Sequence, residues 1–502
     1  LTRSSQTGLA LLSASLLLGL LGDVLLRVGP PGLNALLWMV ALAAVCLVLN
    51  RAGLITLSRE GGWLLAAAVL AAAGYLWRAS PALQALDLLA AALTLGLAAA
   101  YNRKQGLLLG GVADYVLHFL LTGAQAAAGP IPGAALDVRW GDISLGGRRG
   151  RGQGQALAAV RGLAVALPLL LLFGALFSAA DAVFAQMVDR AFDFNLDKLT
   201  SHLLLTLFWA WLTAGWLRAA SLGPTVEDLH FQRPAGARLG AIETGVVLGA
   251  LNILFLAFVL VQFRYFFGGA ALVQATTGLT YAEYARRGFF ELVKVAALVL
   301  PILLLFDWLQ PVDRPGQGRM YRWLAGLLVV QLFVIMASAV QRMHLYQEAF
   351  GLTELRLYTS AFMVWLGLTF LWFLVTVLRG HRERFAFGAM AAGLAVLLGL
   401  HAVNPEALIV RANAARYQAG HTFDVSYGLS LGPDSVPALV EAMQLLPESD
   451  QRSIAAALRR QWAKRDDGDW RTWNWSRARA RAVLDAQGLI DPPGQGGAPI
   501  PE

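Results

Sequence analysis

The sequence predicts an all-α fold, a polytopic transmembrane helix bundle with a small helical C-terminal domain, and three observations carry that prediction. Of 502 residues, 57% are hydrophobic and only 14% are charged, where a soluble globular chain carries roughly a quarter charged residues. The apolar residues arrive in blocks of about 17 to 24, the length a helix rising ~1.5 Å per residue needs to cross ~30 Å of hydrocarbon. Alternating apolar and polar strand patterns are absent. Inside lipid each backbone N–H and C=O must be paired within its own segment, so such runs form helices.

Taken in order, the first span is residues 8–26, after Arg3; no small-x-small cleavage site follows it, so it reads as a retained span. Spans at 33–49, 61–77 and 83–100 follow and complete an N-terminal four-helix segment, residues 1–105. Residues 106–161 hold a helix and a linker. The stretch 106–129 is interrupted by Asp114, His118 and Gln125 and has its apolar residues on one face, which suits a helix lying in the membrane interface. The sequence GGRRGRGQGQ at 146–155 is a flexible basic linker, placed in the cytoplasm as a retention signal, and it lacks the GxxxxGK[ST] spacing of a phosphate loop.

A seven-helix segment, residues 162–403, has spans at 162–180, 199–217, 240–263, 289–306, 323–341, 358–378 and 385–403. The total is about eleven. After residue 403 the chain turns polar, with helical periodicity at 405–418, 435–446, 450–464 and 476–487, giving a helical extracytoplasmic domain at 404–490 and a disordered tail at 491–502. Within that domain Trp470, Trp473 and Trp475 are expected to pack onto the neighbouring short helices, as bulky anchors of a small core.

Charge tests the span assignment, because arginine and lysine collect on cytoplasmic loops. Arg51, Arg59, Arg103, Lys104, Arg139, Arg148, Arg149, Arg151, Arg161, Arg218, Arg233, Arg238, Arg379, Arg382 and Arg384 all fall on one set of loops. Residues 181–198, richer in aspartate, fall on the other. The expectation is a cytoplasmic N-terminus and an extracytoplasmic C-terminus. The net charge of +8 therefore reads as topology and not as a nucleic-acid surface.

Ionisable residues at membrane depth are costly and mark candidate sites. They gather toward the outer ends of the helices: Asp23, Asp87, Asp181, His202, Arg264, Glu291, Lys294, Arg342 and His401, with Glu243 and Asn252 elsewhere in a span. The stretch 262–296 suits a re-entrant or interface-hugging loop carrying Tyr265, Tyr281, Glu283, Tyr284, Arg286 and Arg287, where arginine grips phosphate in a bidentate fashion and tyrosine stacks on a sugar or headgroup. A second outward loop, 341–358, brings Arg342 and His344 to the same side. Convergence of Arg264, Arg286, Arg287, Glu291 and Arg342 in one outer-face cluster is expected. The alternative reading is ordinary loop polarity, with Glu291 and Lys294 as an i,i+3 ion pair. No cofactor or metal is indicated: Cys46 is the only cysteine, His344 has no second ligand at metal spacing, and no GxSxG is present.

The strings GALFSAADAVFAQ (174–186), QFRYFFGG (262–269), GLTYAEYARRGFFELVKVA (278–296), QRMHLYQEAFGLTELRLY (341–358) and NPEALIVRANAAR (404–416) resemble the bacterial multi-pass membrane proteins grouped as domain of unknown function 4173, related to family 4153. The resemblance spans roughly residues 60–450 and implies a bacterial inner-membrane location. It defines no catalytic residue.

Three function classes remain. The first is an envelope structural, sensory or partner-binding protein whose partners are membrane lipids or an envelope protein. The second is an extracytoplasmic transferase on a lipid-linked, polyprenyl-phosphate type substrate, with Asp23, Asp87 or Asp181 as base and Arg286, Arg287 or Arg342 as phosphate clamp. The overall architecture is similar to polyprenyl-phosphate-sugar glycosyltransferases, but those have a long acidic first outer loop, and here only about residues 23–33 are available. The third is a transporter, for which no matching pair of interrupted helices is present.

Overall fold

The computed structural model describes residues 3–102, 106–128, 196–222, 240–277 (side chains to 262), 289–310, 315–463 and 469–490, with isolated positions 173, 177 and 181. Among the described residues there are sixteen α-helices and no strand. The bundle contains α1 (Arg3–Leu26), α2 (Leu33–Arg51), α3 (Arg59–Trp77), α4 (Pro81–Tyr101), α5 (Val112–Ala128), α6 (Leu196–Ser221), α7 (Ala241–Thr277), α8 (Phe289–Leu309), α9 (Pro315–Phe350), α10 (Glu354–Val375) and α11 (Phe385–Val403). The C-terminal domain contains α12 (Pro405–Gln418), α13 (Val425–Ser430), α14 (Val436–Met443), α15 (Glu448–Trp462) and α16 (Trp475–Ala486).

Among the described residues ten helices are long and apolar enough to cross a bilayer, namely all of α1–α11 except α5. Their outward faces carry large apolar side chains such as Leu17, Leu89, Ile253 and Leu298. Water would penalise so much exposed apolar area, whereas hydrocarbon does not. The expected span 162–180, the linker 146–155 and the tail 491–502 lie outside the described residues.

The bundle has two separately cored halves. Leu18, Leu42, Ala68, Leu83 and Leu217 form one core among α1–α4 and α6. Leu248, Leu303, Leu328, Leu332 and Phe370 form the other among α7–α10. Helix α11 joins both, with Leu397 in the first and Phe385 in the second. Small residues set a close crossing: a Cβ at Gly19 would lie 2.5 Å from the Thr206 carbonyl oxygen and 2.7 Å from Ala210 Cβ, so α1 and α6 meet backbone to backbone, as membrane helices do.

One end of the bundle, the arginine end, collects Arg51, Arg59, Arg379, Arg382 and Arg384. Asn102 locks it, donating to Thr56 O (2.6 Å) and Ala220 O (2.9 Å) while accepting from Ser58 N (2.8 Å). Glu60 accepts from Gly106 N and Leu107 N and so fixes the turn after α4. The opposite, domain end carries the C-terminal helices.

Two sequence expectations change here. Residues 341–350 continue α9 instead of forming a loop, because no helix breaker intervenes before Gly351, whose φ of +79° ends the run. At 36 residues α9 is ~54 Å long, well beyond the ~30 Å hydrocarbon layer. The backbone of 263–277 likewise continues α7, whereas a re-entrant loop is expected from the sequence. Helix α5 buries Tyr115, His118 and Thr122 and exposes Val116, Phe119 and Leu120. It is not among the helices long and apolar enough to span, and it leans on its neighbours, with Trp211 of α6 donating to Ala127 O (2.7 Å) and Tyr101 of α4 against Tyr115.

Candidate functional site at the bundle–domain junction

The C-terminal domain is joined to the bundle by buried polar groups from three turns. Between α3 and α4, Ala79 and Ser80 present backbone N–H groups that neither helix pairs, whereas Arg78 N donates back to Gly74 O (2.9 Å). Between α11 and α12, Asn404 sits at φ +56°, the left-handed region, and caps α12 by accepting from Ala407 N (3.2 Å), with Pro405 in the first turn. Its amide donates to Asp434 O (3.1 Å). The third turn, Pro433–Ser435, presents Asp434.

Asp434 is the hub. One carboxylate oxygen accepts from Ala79 N (2.7 Å) and Ser80 N (2.8 Å); the other takes the Ser476 hydroxyl and lies 3.5 Å from the Arg78 guanidinium. Arg78 also donates to His401 O from Nε (2.8 Å) and Nη2 (2.5 Å), and stacks over Trp77. Burial lowers the Arg78 pKa, and the neighbouring Asp434 opposes that shift. Asn474 donates to Tyr75 O (2.7 Å) and Arg78 O (3.0 Å), and Leu33 N donates to Trp473 O (2.9 Å). One layer deeper, Asp87 Oδ1 is 2.9 Å from His401 Nε2 and both side chains are buried.

Glu406, 1% exposed, lies beside Gly432. Burial, then the charges of Asp434 and Glu354, push its pKa up to about 8. At neutral pH Glu406 is therefore mostly protonated, and Arg78 and Asp434 balance as a single ion pair. A buried pair satisfied in this way specifies one docking geometry.

Adjoining the junction is an apolar groove of about 800 Å³ between the two halves of the bundle. Leu89 and Leu93 of α4, Leu304 of α8, Trp365 of α10 and Met390 and Leu397 of α11 are among its walls. Tyr358 links the two features: it lines the groove, and its hydroxyl is 3.3 Å from Ser80 Oγ.

The sequence-derived candidates are distributed as follows. Asp87 joins the junction. Asp23 belongs to a separate group at the domain end, where Oδ2 is 2.6 Å from His202 Nδ1 and Oδ1 accepts from Arg27; Arg27 also donates to Ser201 Oγ (2.7 Å). Arg342 is buried and donates to Gln262 Oε1 (2.8 Å), beside Ser338 (3.0 Å). These three thus have different partners. Glu291 and Lys294 are exposed on α8, His344 is exposed beside Glu348, and Asp181 is exposed. The side chains of Arg264, Tyr265, Tyr281, Glu283, Tyr284, Arg286 and Arg287 lie outside the described residues. No group of metal-ligating side chains occurs among the described residues.

Sequence reasoning missed Arg78, Glu406, Asp434, Asn474 and Ser476. A usable signal was present for two of them: Arg78 sits between a span and Ser80-Pro81, and Glu406 follows Asn404-Pro405 at a span end. The expectation for the tryptophans is overturned, since Trp470, Trp473 and Trp475 are exposed, with Trp473 and Trp475 edge to face. The domain core is filled by Ile409, Leu439, Ile454, Leu458 and Leu484 instead. The tryptophans flank the helix ends at Val24 and Leu33, the depth at which aromatic belts form.

Among comparisons with known proteins, the model of one family, described as "Domain of unknown function (DUF4153)", matches residues 64–442. No curated protein and no solved structure matches the chain. The matched region contains Arg78, Asp87, His401, Glu406 and Asp434; Asn474, Ser476 and the three tryptophans lie beyond it.

Proposed function

The chain belongs to the DUF4153 family, and from that premise we propose that it is a partner-binding or sensory protein, set in the bacterial inner membrane as its resemblance to family 4173 implies, whose C-terminal domain is a rigidly mounted extracytoplasmic platform. The carrying observation is the closed junction. Asp434 and Asn474 direct their polar atoms at the backbone of the bundle, and Arg78 directs its own at Asp434 and the turn into α12, which suits a mount and leaves little for a substrate. The cytoplasmic placement of the N-terminus rests on the arginine end lying opposite the domain. The exposed tryptophans, interleaved with Arg471 and Arg477, supply the contact face. The test is photocrosslinking in intact cells with a photoreactive residue in place of Trp470, Trp473 or Trp475, compared with one at exposed Arg452 on α15. A discrete protein adduct confined to the tryptophan face is expected. Adducts with lipid alone, or equal yields at both faces, would remove the partner-binding reading.

The Asp23–His202 pair favours a second reading, the transferase on a lipid-linked substrate. A carboxylate orienting one imidazole nitrogen leaves the other positioned as a base, and the His202 side chain is 53% exposed at the domain end. Under this reading Asp23→Asn and His202→Gln each reduce transfer from a polyprenyl-phosphate sugar by about 10²-fold or more, measured with reconstituted protein. Equal rates in wild type and both variants would dismiss it.

A further inference from the structure

We infer that the groove between the two bundle halves is a binding site for an acyl chain of a membrane phospholipid. Its walls come mainly from the spans α4, α8, α10 and α11, with Val112, Tyr115 and Val116 contributed by α5, so what reaches it arrives through hydrocarbon and not through water. The halves on either side have their own cores, and α11 forms the floor between them, so the cleft lies between two packed units and is not a packing defect within one. Leu89, Val116 and Leu355 on its rim are exposed, which leaves it open sideways to the bilayer.

Its dimensions and polarity select the occupant. Lining residues run from Leu355 to Thr369 on α10 and from Phe385 to Leu400 on α11, about 20 Å of helix axis. A bilayer core of ~30 Å makes each leaflet about 15 Å deep, so one acyl chain lies extended in the groove, whereas a long polyprenyl chain outruns it. Among the described residues no charged side chain lines it, which disfavours a headgroup in its interior. Tyrosines stand at both ends. The Tyr115 hydroxyl is committed to Leu107 O (2.7 Å), while that of Tyr358 lies 3.3 Å from Ser80 Oγ, which gives the domain end a polar margin suited to the ester end of the lipid. A cleft of this volume with a few polar groups at its margin matches ordinary small-molecule sites in size and lining.

The experiment uses full-length protein in phosphatidylethanolamine–phosphatidylglycerol vesicles doped with a phosphatidylglycerol carrying a diazirine in one acyl chain, with adducts mapped by peptide mass spectrometry. Labelling of Leu93, Trp365 and Met390 should exceed that of Ile253 and Leu298, which are exposed on outer faces, by severalfold. Ala361→Phe, which fills the groove, should remove most of that excess, and Val364→Phe on the exposed face of α10 should not. Equal labelling of groove and outer faces in the wild type overturns the inference whether or not the filled variant folds. Stronger labelling by a diazirine-bearing polyprenyl phosphate than by the phospholipid overturns the choice of occupant.

Discussion

Replacing Arg78 with methionine is expected to destabilise the junction by about 3–5 kcal/mol, the usual cost of removing one partner from a buried ion pair. The loss has two parts. Asp434 keeps its two backbone N–H donors and the Ser476 hydroxyl but loses the guanidinium paired with it, and the carbonyl of His401 loses both guanidinium donors. Thermal unfolding in detergent micelles, followed by tryptophan fluorescence, reads the loss directly. Limited proteolysis should show faster release of the region beyond residue 404. Arg78→Lys should recover only part of the stability, since one ammonium cannot serve both His401 O and Asp434 with fork geometry. The double variant Arg78→Met/Asp434→Asn should be more stable than Arg78→Met alone, because the unpaired buried charge is gone. If Arg78→Met unfolds within about 1 kcal/mol of wild type, this pair does not hold the domain.

The second large effect is a pH dependence through Glu406. Its pKa is about 8 in the folded protein against an ordinary 4.5, so the folded state holds the proton more tightly than the unfolded state. Stability is then fully present below about pH 4.5, falls as pH rises toward about 8, and levels off above that, by a total on the order of a few kcal/mol. The sign is opposite to that of a salt-bridged carboxylate. Glu406→Gln, neutral at every pH, should flatten this part of the profile and raise stability at pH 8 and above. Unfolding midpoints of wild type and variant between pH 5 and pH 9 check it: parallel curves would mean that Glu406 ionises in the folded state as it does in water.

The spans were legible because a helix in hydrocarbon needs only length and apolarity, both of which are local. Boundaries near Leu33, Pro81, Phe289 and Val403 follow from where charges, glycine or proline begin. The helical extensions of α7 and α9 were not legible, since a polar composition marks the end of a membrane span without ending a helix. The junction was hidden for a different reason. Ala79 and Asp434 are 355 positions apart, and Tyr75 and Asn474 are 399 apart, so no spacing rule connects them. Asp87 stood out as an acid inside a span. Arg78 and Glu406 looked like ordinary loop-end charges, and only burial distinguishes them. The tryptophans misled because bulky aromatics serve equally well as core anchors and as surface groups at a membrane boundary, and the sequence does not separate the two.

The uninterrupted course of α9 has a mechanical consequence. Its first turns lie at the arginine end, and its last turn is gripped by Arg416 of α12, which donates to Glu348 O and Ala349 O. Gly351, just beyond, is held against Asn413. Among the described residues α9 is thus one continuous helix tied at its far end to the C-terminal domain, so no hinge separates that contact from the arginine end.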